Sequence, residues 1–171
     1  MFTSALNCAD EIRNNYYDFE RFGPNGRIPL IFDGGIRDNG DIAKALVAGG
    51  GGNNLVMAGS LFAACIDAPG ENVYSEEQKA EARRASLTEE WYQKHIKREF
   101  LPVAKFYHGS ASHIQKGEKK HVEGVQLEIP CNGMTYSEKY QELRESLSSA
   151  VSYAGGNSLA AFKNVEWVSV K

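Results

Sequence analysis

The chain has 171 residues, of which 42% are hydrophobic and 24% are charged, and its formal net charge is -3. This length and composition suffice for one globular domain with a hydrophobic core. Acidic and basic residues are mixed along the chain, which argues against binding to nucleic acid or to an anionic membrane, and no apolar run reaches the roughly 20 residues of a membrane span. The N-terminus lacks the basic and apolar regions of a signal peptide, and the three cysteines show no CxxC spacing. We therefore expect a protein of the reducing cytoplasm without a zinc site or a disulfide framework.

The chain begins with a predicted helix and a predicted strand. Apolar residues at helical spacing predict an amphipathic helix over residues 4–15. The continuous apolar run 28–32 ends in Asp33-Gly34-Gly35. Such a run is typical of a parallel strand whose two faces are both covered.

A helix and a second strand follow directly. The helix is predicted over 40–48, with Asp38 or Asn39 as its cap, and the strand over 55–58 ends at Gly59-Ser60. Strand, helix and strand within so short a stretch predict a βαβ unit with parallel strands. Because two strands do not form a stable sheet alone, we expect the missing strands to lie outside this chain or in another chain.

The remainder of the chain is predicted to be mostly helical. A charged, alanine-rich segment with a partial apolar stripe predicts a helix over 75–100. The other predicted elements are a strand over 125–129, a helix over 137–153 with Tyr140 on its packed face, a short helix over 159–163 and a strand over 165–170.

Small residues follow both strands of the βαβ unit, and they favour a ligand site. Glycine lets a ligand approach the backbone closely, and main-chain N–H groups at such positions can bind a phosphate. Asp33, at the carboxyl end of its strand, can accept hydrogen bonds from ribose hydroxyls. The alternative is that Gly34-Gly35 is only a tight turn and that Asp33 only caps a helix, and spacing alone favours this alternative.

Several long blocks of sequence closely resemble the IMP dehydrogenase/GMP reductase family. These blocks are IPLIFDGGIRDNGDIAKALVAGG with LVMAGSLFA, YHGSASHIQKGEKKHVEG and SSAVSYAGGNSLAAFKNVEWVSVK. They resemble, in that order, the last two barrel strands, the flap of the GMP reductase branch and its C-terminus. The resemblance implies an α/β fold, a partial (β/α)8 TIM barrel with the last two βα units, a flap at 106–124 and a C-terminal helix. It implies that residues 1–171 are the C-terminal part of one catalytic domain, with 71–105 as a helical insertion.

The resemblance also implies a reaction, the NADPH-dependent reductive deamination of GMP to IMP in purine salvage. In this reaction a cysteine attacks the purine, ammonia leaves and a hydride is transferred. The matched substrate-binding positions are Asp33 for the ribose, Gly35, Gly59 and Ser60 for the phosphate, and Ser110, Ala111 and Gly124 for the base. Glu123 matches the glutamate that transfers a proton to the departing amine, and Lys120, Ser149 and Tyr153 match cofactor contacts. Full-length members are further expected to form tetramers and to use a monovalent cation such as potassium.

The cysteine loop of the family, GxGSxCxT, has no counterpart in this chain. None of Cys8, Cys65 and Cys131 lies between Gly-Ser and Thr, so we expect no turnover by the chain alone. The four histidines, at irregular spacing, predict no metal site. Two alternatives remain open: an IMP dehydrogenase that oxidises IMP to XMP with NAD, and a non-catalytic nucleotide-binding half of a split barrel.

Overall fold

The computed structural model describes residues 2–15, 29–50, 54–95, 98–108 and 126–166. The chain divides into two compact units. One comprises Met1–Ala58 together with Glu142–Lys171, and the other comprises Gly59–Gln141. No helix in the described ranges combines the length and the apolar character that crossing a membrane would require.

The first unit contains a parallel strand pair and helices. Its elements are α1 (Phe2–Asn15), β1 (Ile31–Asp33), α2 (Asn39–Ala48), β2 (Leu55–Met57), the later part of α6 (Tyr136–Tyr153) and a 3-10 helix (Leu159–Asn164). β1 and β2 pair in parallel, with Ile31 opposite Leu55 and Asp33 opposite Met57. The predicted strand–helix–strand unit and the predicted first helix are therefore confirmed.

The two strands are shorter than predicted, and one face of the pair is exposed. Phe32 is buried at 6%, whereas its neighbour Ile31 is 58% exposed. In β2, Leu55 and Met57 are likewise more than half exposed. The prediction of strands covered on both faces was wrong, because the described residues cover only the face on which Phe32 lies.

Helix α2 packs on the covered side, as its pattern predicts. Its N-cap is Asp38, whose carboxylate accepts from the backbone N–H of Asp41 at 2.9 Å. Ala45 and Leu46 are buried, and Leu46 forms a core with Val151 of α6 and Phe162 of the 3-10 helix. Burial of each such large apolar side chain stabilises the fold by about 1.5–3 kcal/mol.

The second unit contains an antiparallel sheet and short helices. Its elements are α3 (Ser60–Ala63), β3 (Asn72–Val73), α4 (Glu76–Arg84), α5 (Glu89–Lys94), β4 (Ala104–His108), β5 (Gln126–Pro130) and the start of α6. The strand order is β3-β4-β5, and both pairings are antiparallel. The predicted strand at 125–129 is confirmed, whereas β3 and β4 were not predicted.

Among the described residues of 75–100, where a single helix was predicted, the chain instead forms two shorter helices. Ser75 caps α4 through a capping box with Gln78, and Thr88 caps α5. Between them Ser86 adopts a φ of 57°, which ends the first helix. The reversal brings Tyr92 against Tyr74, whose hydroxyl donates to Tyr92 O at 2.8 Å.

Two details at the C-terminal end also differ from prediction. Tyr140 is 58% exposed, so it is not on the packed face of α6. Residues 165 and 166 lie in no strand, and the rest of the predicted strand at 165–170 lies outside the described residues.

Candidate functional site

The carboxyl ends of β1 and β2 lie side by side. Asp33 and Met57 are register partners, so the chain leaves both strands at the same edge of the pair. The connection after β1 passes through Gly34 and Gly35, whose φ angles are 91° and 73°. Residues with a side chain rarely adopt this conformation, so the two glycines fold the backbone sharply beside the Asp33 carboxylate. Asp33 is exposed and can therefore accept hydrogen bonds from a ligand.

Hydrogen bonds and burial hold the connection that follows Gly35. Ile36, only 3% exposed, anchors the connection in the interior. The backbone N–H of Arg37 donates to Asp41 Oδ2 at 3.1 Å, and this bond lowers the pKa of the Asp41 carboxyl. The Asn39 side chain donates to Glu142 and Ser146 of α6 at 3.0 and 2.8 Å. The strand end that carries Asp33 is thus tied to two helices of its own unit.

The second predicted phosphate position, Gly59-Ser60, begins α3. The first backbone N–H groups bonded within this turn are those of Phe62 and Ala63, which both donate to Gly59 O. The Tyr107 side chain lies so close to Gly59 that a Cβ atom there would collide with its hydroxyl oxygen. A side chain at position 59 would displace the Tyr107 hydroxyl, so glycine at this position keeps an exposed main-chain segment next to a phenolic donor.

Sequence reasoning missed Tyr107 as a site residue. It lies near the end of β4, which was not predicted as a strand, and its contact with Gly59 joins positions that are 48 residues apart in the sequence. The available signal was its place as the first residue of the block that resembles the flap.

Ser149 and Tyr153, the positions matched to cofactor contacts, lie on α6. They are four residues apart and therefore share one helical face. Tyr153 is 93% exposed. Ser149 is also exposed, and its hydroxyl donates to Glu145 O at 3.1 Å. This face is accessible to a ligand.

Five further predicted positions cannot be placed. Ser110, Ala111, Lys120, Glu123 and Gly124 lie outside the described residues. The geometry around the predicted acid–base glutamate therefore stays a prediction.

The thiols differ in their surroundings. Cys65 is fully buried, and burial raises the pKa of its thiol. Its sulfur accepts from Asn132 Nδ2 at 3.6 Å, a contact that fits a structural role. Cys8 is exposed, and Cys131 is half-buried. Within the described ranges, His, Cys, Asp and Glu side chains nowhere form a group of three or more that could hold a metal ion.

Comparison with known proteins gives the same family as the sequence resemblance. The model of the IMP dehydrogenase / GMP reductase domain matches residues 11–170. GMP reductase from Latilactobacillus sakei is 39% identical over 143 residues, which are 84% of this chain and 35% of that protein. GMP reductase from Streptococcus pyogenes is 38% identical over 145 residues, which are 85% of this chain and 36% of that protein.

A solved structure shows the fold. It is a variant of GMP reductase from Trypanosoma brucei in complex with guanosine monophosphate, and it aligns with a TM-score of 0.59 and 22% identity. The alignment covers 95% of this chain and 27% of the trypanosomal one. The chain spans about a third of the length of the curated relatives it matches, corresponding to their C-terminal part. The α/β fold and the match over nearly the whole sequence show that this chain belongs to the IMP dehydrogenase/GMP reductase family.

Proposed function

We propose that this chain provides the ribose- and phosphate-binding part of a GMP reductase, which converts GMP to IMP with NADPH. The observation that carries the proposal is the pair of strand ends, with the Asp33 carboxylate and a doubly left-handed glycine turn at the edge where both parallel strands end. In (β/α)8 barrels, ligands bind at the carboxyl ends of the strands, and the last two connections commonly hold phosphate. β1 and β2 are then the last two strands of the barrel.

Each group of a purine mononucleotide has a matching partner in this proposal. The Asp33 carboxylate accepts hydrogen bonds from the ribose hydroxyls, which are donors. By the family resemblance, main-chain N–H groups at Gly35, Gly59 and Ser60 are the donors to the phosphate. The Tyr107 hydroxyl, next to Gly59, adds a neutral donor to the same group.

The chemical step needs residues that this chain contains and a catalytic cysteine loop that it does not contain. By resemblance, Glu123 moves a proton to the departing amine, and Ser110, Ala111 and Gly124 hold the base. The nucleophilic cysteine belongs to a loop that none of Cys8, Cys65 and Cys131 replaces. We therefore propose that the chain has no turnover unless the preceding part of the barrel is supplied.

By the resemblance, the cofactor is NADPH, which would supply the hydride when bound. The residues assigned to it have side chains that can contact a dinucleotide. Ser149 and Tyr153 share an accessible face of α6, where a hydroxyl and an aromatic ring can contact a dinucleotide. Lys120 provides a positive charge, although as a point charge rather than the planar fork of an arginine. We place this activity in the cytoplasm, in a tetramer, with potassium as a further ligand of the full-length enzyme.

Titration of the isotopically labelled chain with GMP, followed by NMR, tests the proposal. We expect saturable shifts in the amide resonances of Gly35, Gly59 and Ser60, together with no oxidation of NADPH when both ligands are present. The variant Asp33→Asn should weaken GMP binding, since the amide donates as well as accepts and carries no charge.

A matched control uses the carboxylate five residues further along the chain. Asp38→Asn removes the same charge, but asparagine caps helices as well as aspartate does, so α2 is retained. If Asp38→Asn weakens GMP binding as much as Asp33→Asn, the loss is not specific to a contact with the ribose, and the proposed role of Asp33 is wrong. Turnover by the chain alone would contradict the requirement for the cysteine loop.

A further inference from the structure

The second unit contains a cavity of about 500 Å³ that involves none of the proposed GMP ligands except Tyr107. Small-molecule sites commonly have volumes of about 300–1,000 Å³. The described residues that line the cavity are Phe62 and Ala63 of α3, the loop 67–70, Phe106, Tyr107 and His108 of β4, and Tyr136 of α6. Asp33, Gly35, Gly59 and Ser60 are absent from this described lining.

Hydrogen bonds on several sides hold the loop 66–70 in place, so the cavity is preformed. Lys105, only 1% exposed, donates to Ile66 O at 3.1 Å and also to Ala68 O. The backbone N–H of Ile66 donates to Met134 O at 2.8 Å. Gly70 has a φ of 126°, and a Cβ there would come within 2.9 Å of Phe106 O. The loop is thus packed directly against the strand that forms the other wall.

The lining favours a flat aromatic ligand. Five of its side chains are aromatic rings, and the Phe62 and Tyr136 rings lie 4.8 Å apart at an interplanar angle of 31°. Rings in this arrangement offer faces on which another ring can stack. Stacking on aromatic side chains strengthens the binding of any nucleic-acid base, because every base has a flat π face.

The charges of the lining favour a ligand that donates hydrogen bonds and carries no phosphate. Asp67 contributes a carboxylate, and no lysine or arginine is among the described lining residues. Asp67 Oδ1 accepts from the backbone N–H of Tyr136 at 2.7 Å, which fixes the carboxylate and leaves it further acceptor capacity. Nδ1 of His108 is buried without a partner among the described residues, so an additional polar contact there would be favourable.

We propose that this cavity is a second binding site, specific for an amino-bearing aromatic heterocycle such as the adenine ring. The exocyclic amino group donates to Asp67, and the ring stacks on the Phe62–Tyr136 pair. The ligand is either the free base or nucleoside or the base of a nucleotide. The proposal does not depend on the proposed GMP reductase function.

NMR titration of the labelled chain with adenine tests the proposal, with purine as a control that lacks the amino group. We expect saturable shifts at Phe62, Ala68 and Gly70, and weaker binding of purine. Asp67→Asn keeps an acceptor for the Tyr136 N–H and should weaken adenine binding about tenfold, since charge-assisted bonds are about twice as strong as neutral ones. The same variant should change purine binding by about twofold or less.

Phe62→Leu keeps an apolar side chain of similar volume but removes the ring, and it should weaken adenine binding about tenfold. A well-dispersed spectrum shows that each variant is folded. Adenosine and AMP distinguish the two sources of the ring, and AMP should bind no more tightly because no described lining residue attracts its phosphate. The proposal is overturned if adenine shifts are not saturable, if Asp67→Asn binds adenine normally or if choline, a non-planar cation, causes the same shifts. GMP shifts confined to the cavity would overturn the proposed function while leaving this site in place.

Discussion

Lys105 is a buried cation held by main-chain carbonyls, and its replacement by methionine should destabilise the second unit. Methionine has a similar length and shape, so packing is largely kept. The carbonyls of Ile66 and Ala68 lose their donor, and each buried acceptor left unsatisfied costs about 1–3 kcal/mol. Part of this loss is offset, because the variant no longer buries a charge. We expect the free energy of unfolding to fall by about 2–4 kcal/mol.

Urea unfolding followed by circular dichroism measures this change. With an m value of about 2 kcal/mol per M, the midpoint should fall by about 1–2 M. Lys163→Met is the matched control, because Lys163 is exposed and its replacement should change stability by less than about 0.5 kcal/mol. A Lys105→Met protein as stable as the wild type would refute the reasoning, since it would show that desolvation of the ammonium cancels both hydrogen bonds.

The pH dependence gives an independent check on Lys105. Burial lowers the pKa of this lysine from its ordinary value of 10.5. The unfolded chain therefore binds more protons than the folded chain between the lowered pKa and 10.5. Because stability rises with pH wherever the unfolded state binds more protons, the wild type should gain stability relative to Lys105→Met as the pH rises through this window.

Three further predictions concern the second unit. Gly70→Ala should lower the free energy of unfolding by about 1–3 kcal/mol, measured in urea, because its φ of 126° suits only glycine and a Cβ would press on Phe106 O. The backbone N–H of Thr135 lowers the pKa of the Glu138 carboxyl from its ordinary value of 4.5. The stability that this carboxylate contributes should therefore be present above pH 4.5 and lost as the pH falls through the lowered pKa. In the variant Glu138→Gln, the free energy of unfolding should change less with pH over this range. Cys65, whose thiol pKa is raised by burial, should be the slowest cysteine to react with iodoacetamide in the folded protein, as mass spectrometry of peptides would show.

The elements with strong local signals could be predicted from the sequence. Helix α1 has apolar residues at helical spacing, and α2 has an aspartate cap and an apolar stripe, so their bounds lie within two residues of the predicted ones. The parallel pairing of β1 and β2 followed from two apolar runs joined by a helix. In these cases the residues that determine the structure are neighbours in the sequence.

The strands β3 and β4 could not be predicted, because long-range contacts determine them. β4 contains Lys105, which interrupts its apolar pattern, and the lysine is buried only because Ile66 and Ala68 supply carbonyl acceptors. β3 has two residues and forms by pairing with Lys105 and Ala104. The break at Ser86 is equally hidden, since serine is not a residue that favours a positive φ.

The residues of the candidate site likewise fall into those that the sequence could predict and those that depend on long-range contacts. Asp33 and Gly35 follow a strand directly, so their place at its carboxyl end could be predicted. The contact between Tyr107 and Gly59 depends on where β4 lies, and the sequence contained no sign of that strand. The cavity next to it was missed for the same reason, since its walls come from four separate segments of the chain.

The exposed face of the β1–β2 pair gives a last prediction, which concerns the other strands of the proposed barrel. Ile31 and Leu55 are register partners, and each is 58% exposed, so their side chains form an apolar patch with Met57. Exposed apolar strands favour pairing with other chains. If this face is normally covered by other barrel strands, the isolated chain should self-associate in sedimentation velocity and bind ANS. Replacing both Ile31 and Leu55 with threonine, which retains strand propensity, should reduce both signals.

Val103→Thr is the control for the double variant, because it tests whether any exposed apolar residue contributes to the self-association. Val103 is also an exposed apolar residue, at 48%, but it belongs to the second unit and not to the strand pair. An equal effect of Val103→Thr would show that general surface hydrophobicity causes the association, and a wild-type chain that stays monomeric and binds no ANS would show that the face needs no cover. An effect confined to the double variant would identify the β1–β2 face as the surface through which the isolated chain associates. Addition of a polypeptide that contains the preceding strands of the proposed barrel should then prevent self-association of the wild-type chain. The added polypeptide and a second copy of the chain would compete for the same face.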